Sequence, residues 1–249
     1  FANNSAKLLG GGIYVLINCT VSWSGETIFS SNTAEIDAGG AIFLWNYSTA
    51  SWNSETTFTN NTAPAGGAVL IIDNCADKVT FVGNTALTTG GAVAVFAKIS
   101  TSDRGSPFVL AGPTVFEKNT CERIGGALGL IGGVLVQLET TEIVFSGNRA
   151  AIAGGAISMW GNDLGPYYIG VNFFSNFASH GGGVYSAGSG NALYGLDSEQ
   201  RSNPVVFIGC SFVENQAIAT GGAIHSAAGQ DLVINTTFSG NIASEGGAL

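Results

Sequence analysis

The sequence predicts an all-β fold, a right-handed parallel β-helix (solenoid) of about nine coils. Three observations carry the prediction. A unit F-x-x-N-x-A, a short gap and G-G-A-φ-x-φ (φ apolar) recurs nine times from end to end. The residues leading into each Phe alternate with the period of a strand and are β-branched. The 3.6-residue period of a helix appears over no useful length. A unit that recurs every 23 to 39 residues is the mark of a stacked array, in which each unit buries its apolar face on the next.

Each column of the repeat has its own reason. The Phe column is Phe1, Phe29, Phe58, Phe81, Phe116, Phe145, Phe173, Phe212 and Phe238. Two residues earlier stand Thr27, Thr56, Val79, Thr114, Ile143, Val171, Cys210 and Thr236, seven of the eight β-branched. A strand with its Phe pointing inward follows. The Asn column, from Asn4 through Asn32, Asn61 and their equivalents to Asn241, is expected to form a ladder in which each amide bonds its copies above and below. The nine Gly pairs, Gly10-Gly11 to Gly246-Gly247, supply turn conformations that side chains forbid. The apolar alternation restarts after each pair, as in Val69/Ile71 and Val93/Val95. The mixed column between, Tyr14, Phe43, Leu70, Ala94, Gly129, Ser158, Tyr185 and His225, is expected to face solvent. Coils stacked about 4.8 Å apart give a rod roughly 40 Å long, with the right-handed crossover usual for parallel strands.

Loops fill the rest. Coil three is nearly loop-free. Coil four makes an excursion from Ala97 to Pro113, coil five adds an apolar strand over Val134 to Leu138, and coil seven has the longest insertion, Gly188 to Pro204. On a solenoid such insertions emerge from one flank and often carry binding; as plain surface loops they are also well tolerated. The repeat leaves no internal boundary, so residues 1–249 read as one β-helix domain. It opens on a repeat and stops just inside another, and is expected to be a segment or subunit of a longer array.

Seventeen acids against eight bases give a net charge of −9. Without a basic cluster a nucleic-acid partner is not expected. No apolar run reaches membrane-spanning length, so no transmembrane segment is expected.

The pairing of F-x-x-N with G-G-A-φ resembles the repeat of the polymorphic outer membrane proteins of chlamydiae. It stands here as Phe145-Ser-Gly-Asn148 with Gly154-Gly-Ala-Ile157, and as Phe238-Ser-Gly-Asn241 with Gly246-Gly-Ala-Leu249. The resemblance covers the whole chain. It implies an autotransported surface protein with a β-helical passenger that serves adhesion and display. Gly10-Gly-Gly-Ile13 and Gly181-Gly-Gly-Val184 depart from the pattern, with Gly in place of Ala. No C-terminal barrel is seen, so membrane anchoring is not carried over.

Candidate site residues are few. Catalysis on polysaccharide, common among β-helices, needs two or three carboxylates on one wall. Here the acids scatter, Glu35 and Asp37 in one turn, Asp73 and Asp77 in another, Glu139 and Glu142, Asp197 and Glu199 in a loop. His180 and His225 fall in different coils and columns and read as surface residues. No catalytic, cofactor or metal site is expected. Cys121 and Cys210 read as buried thiols; Cys19 and Cys75 lie two coils apart, beyond a disulfide's usual reach unless their loops lean together. Five Asn-x-Ser/Thr sequons, at Asn3, Asn18, Asn46, Asn60 and Asn235, fall outside the ladder in loops or outward positions and are candidate N-glycosylation sites. Tyr14, Phe43 and Leu70 form a candidate ridge for lateral contact.

The expected protein is a non-catalytic, extracellular or cell-surface β-solenoid, a fibre or stalk subunit or an adhesive passenger. Its expected partners are further copies of itself, through head-to-tail stacking of coils, and glycans or a cell-surface receptor. The alternative is a β-helix that binds or cleaves polysaccharide. If the chain is made in a eukaryotic secretory pathway, glycans attach at one or more sequons; a fall in intact mass on glycosidase treatment is the expected outcome.

Overall fold

The computed structural model describes all residues except 18, 46–47, 53, 72–74, 77–78, 97–106, 111–112, 133–134, 139–141, 161–166, 188–204 and 228–230. Every described strand pairing is parallel and joins one coil to the next. Three sheets of eight strands run the length of the chain. The first carries the Phe column, from Thr27–Ser30 to Thr237–Ser239; the second follows each Asn; the third follows each Gly pair, from Ile13–Leu16 to Ile224–Ser226. Among the described residues there is no helix. The parallel β-helix is therefore the fold.

Register is what the repeat predicts. In the first sheet Phe58 pairs with Phe81, Phe81 with Phe116 and Phe116 with Phe145. The rings form one file from Phe1 to Phe238, with centroids 4.5 to 5.2 Å apart and planes within 11° of parallel. Most of these rings are fully buried. Each contributes about 1.5–3 kcal/mol of transfer free energy, and the coil spacing sets their separation.

The Asn file is buried as completely, and it uses every polar atom. Asn148 Oδ1 accepts from both the backbone N–H and the Nδ2 of Asn119, each at 3.0 Å. Asn148 Nδ2 donates to Asn176 Oδ1 at 3.0 Å and to the Phe116 carbonyl at 2.9 Å. The same pattern holds with minor variation from Asn4 to Asn241. The bond to the Phe carbonyl of the preceding coil is an addition to the expected ladder. It ties the amide file to the aromatic one.

The Gly pair works by two separate constraints. Gly90 has φ +61°, and a Cβ there would lie 2.0 Å from the Val93 carbonyl oxygen. Gly91 needs no special φ, but its Cβ would meet the Gly126 oxygen of the next coil at 2.0 Å. The first glycine makes the corner, and the second lets the coils stack through it. A second left-handed column, not visible as a motif, precedes each ladder Asn. Asn3, Ser31, Asn60, Lys118, Ser175 and Glu214 hold φ between 50° and 55°, with glycine at Gly83, Gly147 and Gly240.

Two expectations need correction. Segments read as loops contain a fourth strand in most coils: Thr20–Trp23, Thr49–Trp52 and Cys75–Ala76 form one short sheet, and Pro107–Leu110 through Leu232–Ile234 form a five-stranded one. Of these only the apolar strand of coil five was legible; the others are held as strands by the coils on either side. The mixed column of the third sheet is also not a solvent face. Phe43, Leu70, Ala94, Ser158 and Tyr185 are buried. At the Gly corner the chain folds back sharply, so the residue before each pair covers this face. Ala38, Phe43, Ala65, Leu70 and Ala94 form one small secondary core, and Ile124, Ala153, Trp160, Tyr185 and Ala187 another.

Asn148→Ala removes four hydrogen bonds, strips the buried Asn119 backbone N–H of its acceptor and leaves Asn119 Nδ2, Asn176 Oδ1 and the Phe116 carbonyl each one bond short. It should cost about 3 kcal/mol or more, read from the chemical denaturation midpoint. Lys118→Gly, next to the ladder but exposed and left-handed, should instead stabilise by about 1 kcal/mol.

Candidate functional site

The fold-back at the Gly corner creates a groove along the chain, with the outward face of the third sheet as floor and the residues before each Gly pair as wall. Its first part is apolar. Phe43 and Leu70 form the floor, Ile36, Pro64 and Thr88 stand on the rim, and Trp45 and Phe96 close one side of a cavity of about 520 Å³. Trp45 is 45% exposed and stacks on Phe43, ring centroids 5.8 Å apart. Among the described residues, Asp37 is the one charged residue lining it.

This geometry corrects the proposed lateral ridge. Tyr14 is exposed at 47%, but Phe43 and Leu70 are 3% and 4% exposed. The three do not make an apolar ridge; only the first is free to touch another molecule.

The second part of the groove is polar and aromatic. Trp160 stacks on Tyr185 at 5.2 Å and Tyr185 on His225 at 5.1 Å. His180 Nδ1 and His225 Nδ1 each lie 2.8 Å from Thr220 Oγ1. The expectation of two unrelated surface histidines is therefore wrong. His180 and Thr220 share the column before the Gly pair, and His225 follows Thr220 by five residues across the corner. That spacing was readable in the sequence, but the wrong face assignment for the third sheet hid its meaning. Both rings are half-buried. Burial first, and then the nearby His180, hold His225 below the ordinary imidazole pKa.

The remaining candidate residues are placed as follows. Asn3, Asn60 and Asn235 are exposed on left-handed turns, with φ of 55°, 54° and 46°; Asn18 and Asn46 lie outside the described residues. Cys19 is an exposed free thiol. Cys75 pairs in register with Ala50, which pairs with Val21, so it stands over Val21 and not over Cys19. Cys121 and Cys210 are buried as expected, and burial pushes the Cys121 thiol up to about 11 and raises Cys210 as well. Among the described residues no group of three or more His, Cys, Asp or Glu could hold a metal ion. Glu35, Asp37 and Glu142 are exposed, whereas Asp73, Asp77, Glu139, Asp197 and Glu199 lie outside the described residues.

Sequence reasoning also missed Asp231. Both of its carboxylate oxygens are buried and no described residue completes a hydrogen bond to them, although Ser226 and the Val205 backbone are near. Burial raises its pKa above the ordinary 3.8. The buried Tyr168, whose hydroxyl donates to Met159 Sδ at 3.0 Å, is close enough for the two negative forms to disfavour each other.

Stacked amides and rings, paired glycines and a single parallel direction define a class, the parallel β-helices built of stacked sequence repeats. The family description "Chlamydia polymorphic membrane protein (Chlamydia_PMP) repeat" matches residues 55–72 and 142–159. Two of the nine coils thus carry a segment similar to that chlamydial repeat. The "Probable outer membrane protein PmpD" of Chlamydia trachomatis serovar D is 29% identical over 196 residues, which cover 74% of this chain and 11% of that protein. The chain thus spans about a tenth of the length of that curated relative. No solved structure matches it. Likeness to an outer membrane protein supports a cell-surface location. No helix among the described residues is long and apolar enough to cross a membrane, which says nothing of crossing by strands.

A raised Asp231 pKa means that the folded state favours the proton. Its contribution is fully present below pH 3.8 and is lost as the pH rises through the higher folded value. Asp231→Asn should therefore raise the thermal midpoint at neutral pH by about 2–4 °C, with the gain vanishing in acid. Parallel melting curves across pH would show it.

Proposed function

We propose that the chain is a non-catalytic structural segment of a cell-surface protein, a β-helical stalk or adhesive passenger that carries loops along one flank. One observation supports this most strongly. Eight to ten residues separate each Phe from its first Gly, whereas the stretch from that Gly to the next Phe ranges from 15 residues (Gly66 to Phe81) to 31 (Gly181 to Phe212). The ladder, the aromatic file and the corner are held within two residues of one length, and nearly all the variation enters after the third sheet. A scaffold that fixes three walls and lets one segment vary is suited to display. The same register would accept a further coil on either open edge, from a longer chain or from a second copy. Head-to-tail stacking is thus part of the proposal.

A second reading rests on the apolar groove. Half-exposed Trp45 beside Phe43, with Asp37 on the rim, offers an aromatic face and a hydrogen-bond acceptor of the kind that holds a sugar ring. Binding of glycans without cleavage fits the same surface role.

The test trims the display segments. Residues 97–106 and 188–204 are replaced by connections as short as that of coil three, and adhesion of the purified chain to host-cell monolayers is measured. The expected result is an unchanged β-sheet circular dichroism spectrum with adhesion lost. Adhesion that survives trimming would overturn the display reading, and light scattering of the same samples tests self-association.

A further inference from the structure

Two columns meet at the Gly corner, and their chemistry changes near the end of the described array. The residue before each pair is apolar in Ile124 and Ala153, then becomes His180, Thr220 and Glu245. The facing column of the third sheet runs Ser158, Tyr185 and His225. The Thr220 hydroxyl lies 2.8 Å from a nitrogen of each imidazole, and the two rings are 5.6 Å apart. His225 also lies nearly flat on Tyr185, at 5.1 Å and 13°.

A hydroxyl carries one proton. With both rings neutral, or with one charged, Thr220 Oγ1 accepts from one Nδ1–H and donates to the bare Nδ1 of the other ring. Both bonds are then made. With both rings charged, both Nδ1–H groups donate to the two lone pairs of the hydroxyl, its own proton is left without a ring partner, and two like charges face each other in a half-buried corner. We propose that His180, Thr220 and His225 form a proton-sensitive latch that holds coil seven to coil eight at neutral pH and releases when the second imidazole is charged.

The surroundings fit this role. Glu245, on the coil beyond Thr220, is exposed and stands in the same column. Arg123 lies in the adjoining column two coils before His180, bound through its carbonyl to Ile152 and Ala153. Among the described residues, Tyr185 is the one other titratable group with a ring contact to His225. Asp197, Glu199 and Arg201 fall outside the described residues. The lowered pKa of His225 agrees in sign. The stabilisation is fully present above the ordinary value of 6.5 and is lost as the pH falls through the lower folded value. Release would loosen strand Val184–Ala187, from which the longest insertion departs.

Hydrogen exchange on the whole chain, between about pH 7.5 and pH 5 and corrected for intrinsic chemical rates, tests the latch. Protection over 181–187 and 221–226 should fall on the order of tenfold relative to 90–96 in coil four. His225→Phe keeps a ring on Tyr185 without a proton, and His180→Gln keeps a hydrogen bond to Thr220 without a charge; both should abolish the fall. Should His225→Phe fail to fold, His180→Gln decides alone, together with the NMR titration of His225, which should move toward its ordinary value in that variant. The latch is overturned by an equal fall in coil four, by no fall in the wild type, or by a fall that persists in His180→Gln.

Discussion

The amide file from Asn4 to Asn241 is the constraint on which the rest of the structure depends. Each internal Asn is fully buried and each of its side-chain donors and acceptors is used. In a low-dielectric interior an unpaired amide is expensive, so the file tolerates no gap. It also permits only one register. A slip of one residue would turn every Asn outward and every neighbouring side chain inward. Once the amides are aligned, Phe rings fall over Phe rings, and Gly91 falls under Gly126 where no Cβ fits.

The same constraint separates the conserved geometry of a coil from its freedom. From Phe to Gly the backbone and the inward-facing Phe and Asn side chains are committed to the coil above and the coil below. After the third sheet that demand weakens, and chain length can change at small entropic cost. The fourth strand forms there where a neighbour offers a backbone edge, as Pro107–Leu110 does for Leu135–Leu138. The groove at the corner comes from the same economy of shape: the left-handed first glycine folds the wall onto the sheet, and small residues such as Ala38 and Ala65 let it close.

Much of the fold was legible because stacking imposes one chemical requirement on every copy of a position. Phe, Asn and Gly-Gly each answer such a requirement, and the columns could be read directly. The left-handed site before each Asn was not legible, because Asn60, Lys118, Ser175 and Glu214 occupy it alongside Gly83 and no one residue type marks the column. The burial of Phe43 and Leu70 was hidden because it follows from a backbone corner, and strand alternation alone assigns them to water. That error then concealed the meeting of His180 with His225. Asp231 carries no pattern at all; its isolation is a property of the packed coil.

Every interstrand hydrogen bond described here runs from one coil to the next, along the direction in which the coils are stacked. A chain tethered at both ends and pulled would load these bonds end-on, and they would yield at whichever open edge is weakest. Extension would then come in discrete steps, one turn at a time, each as long as the residues it frees. With 23 residues between Asn61 and Asn84 and 39 between Asn176 and Asn215, those steps would range from about 80 to about 140 Å. The unequal loops would make the protein a shock absorber with a different stroke at each level.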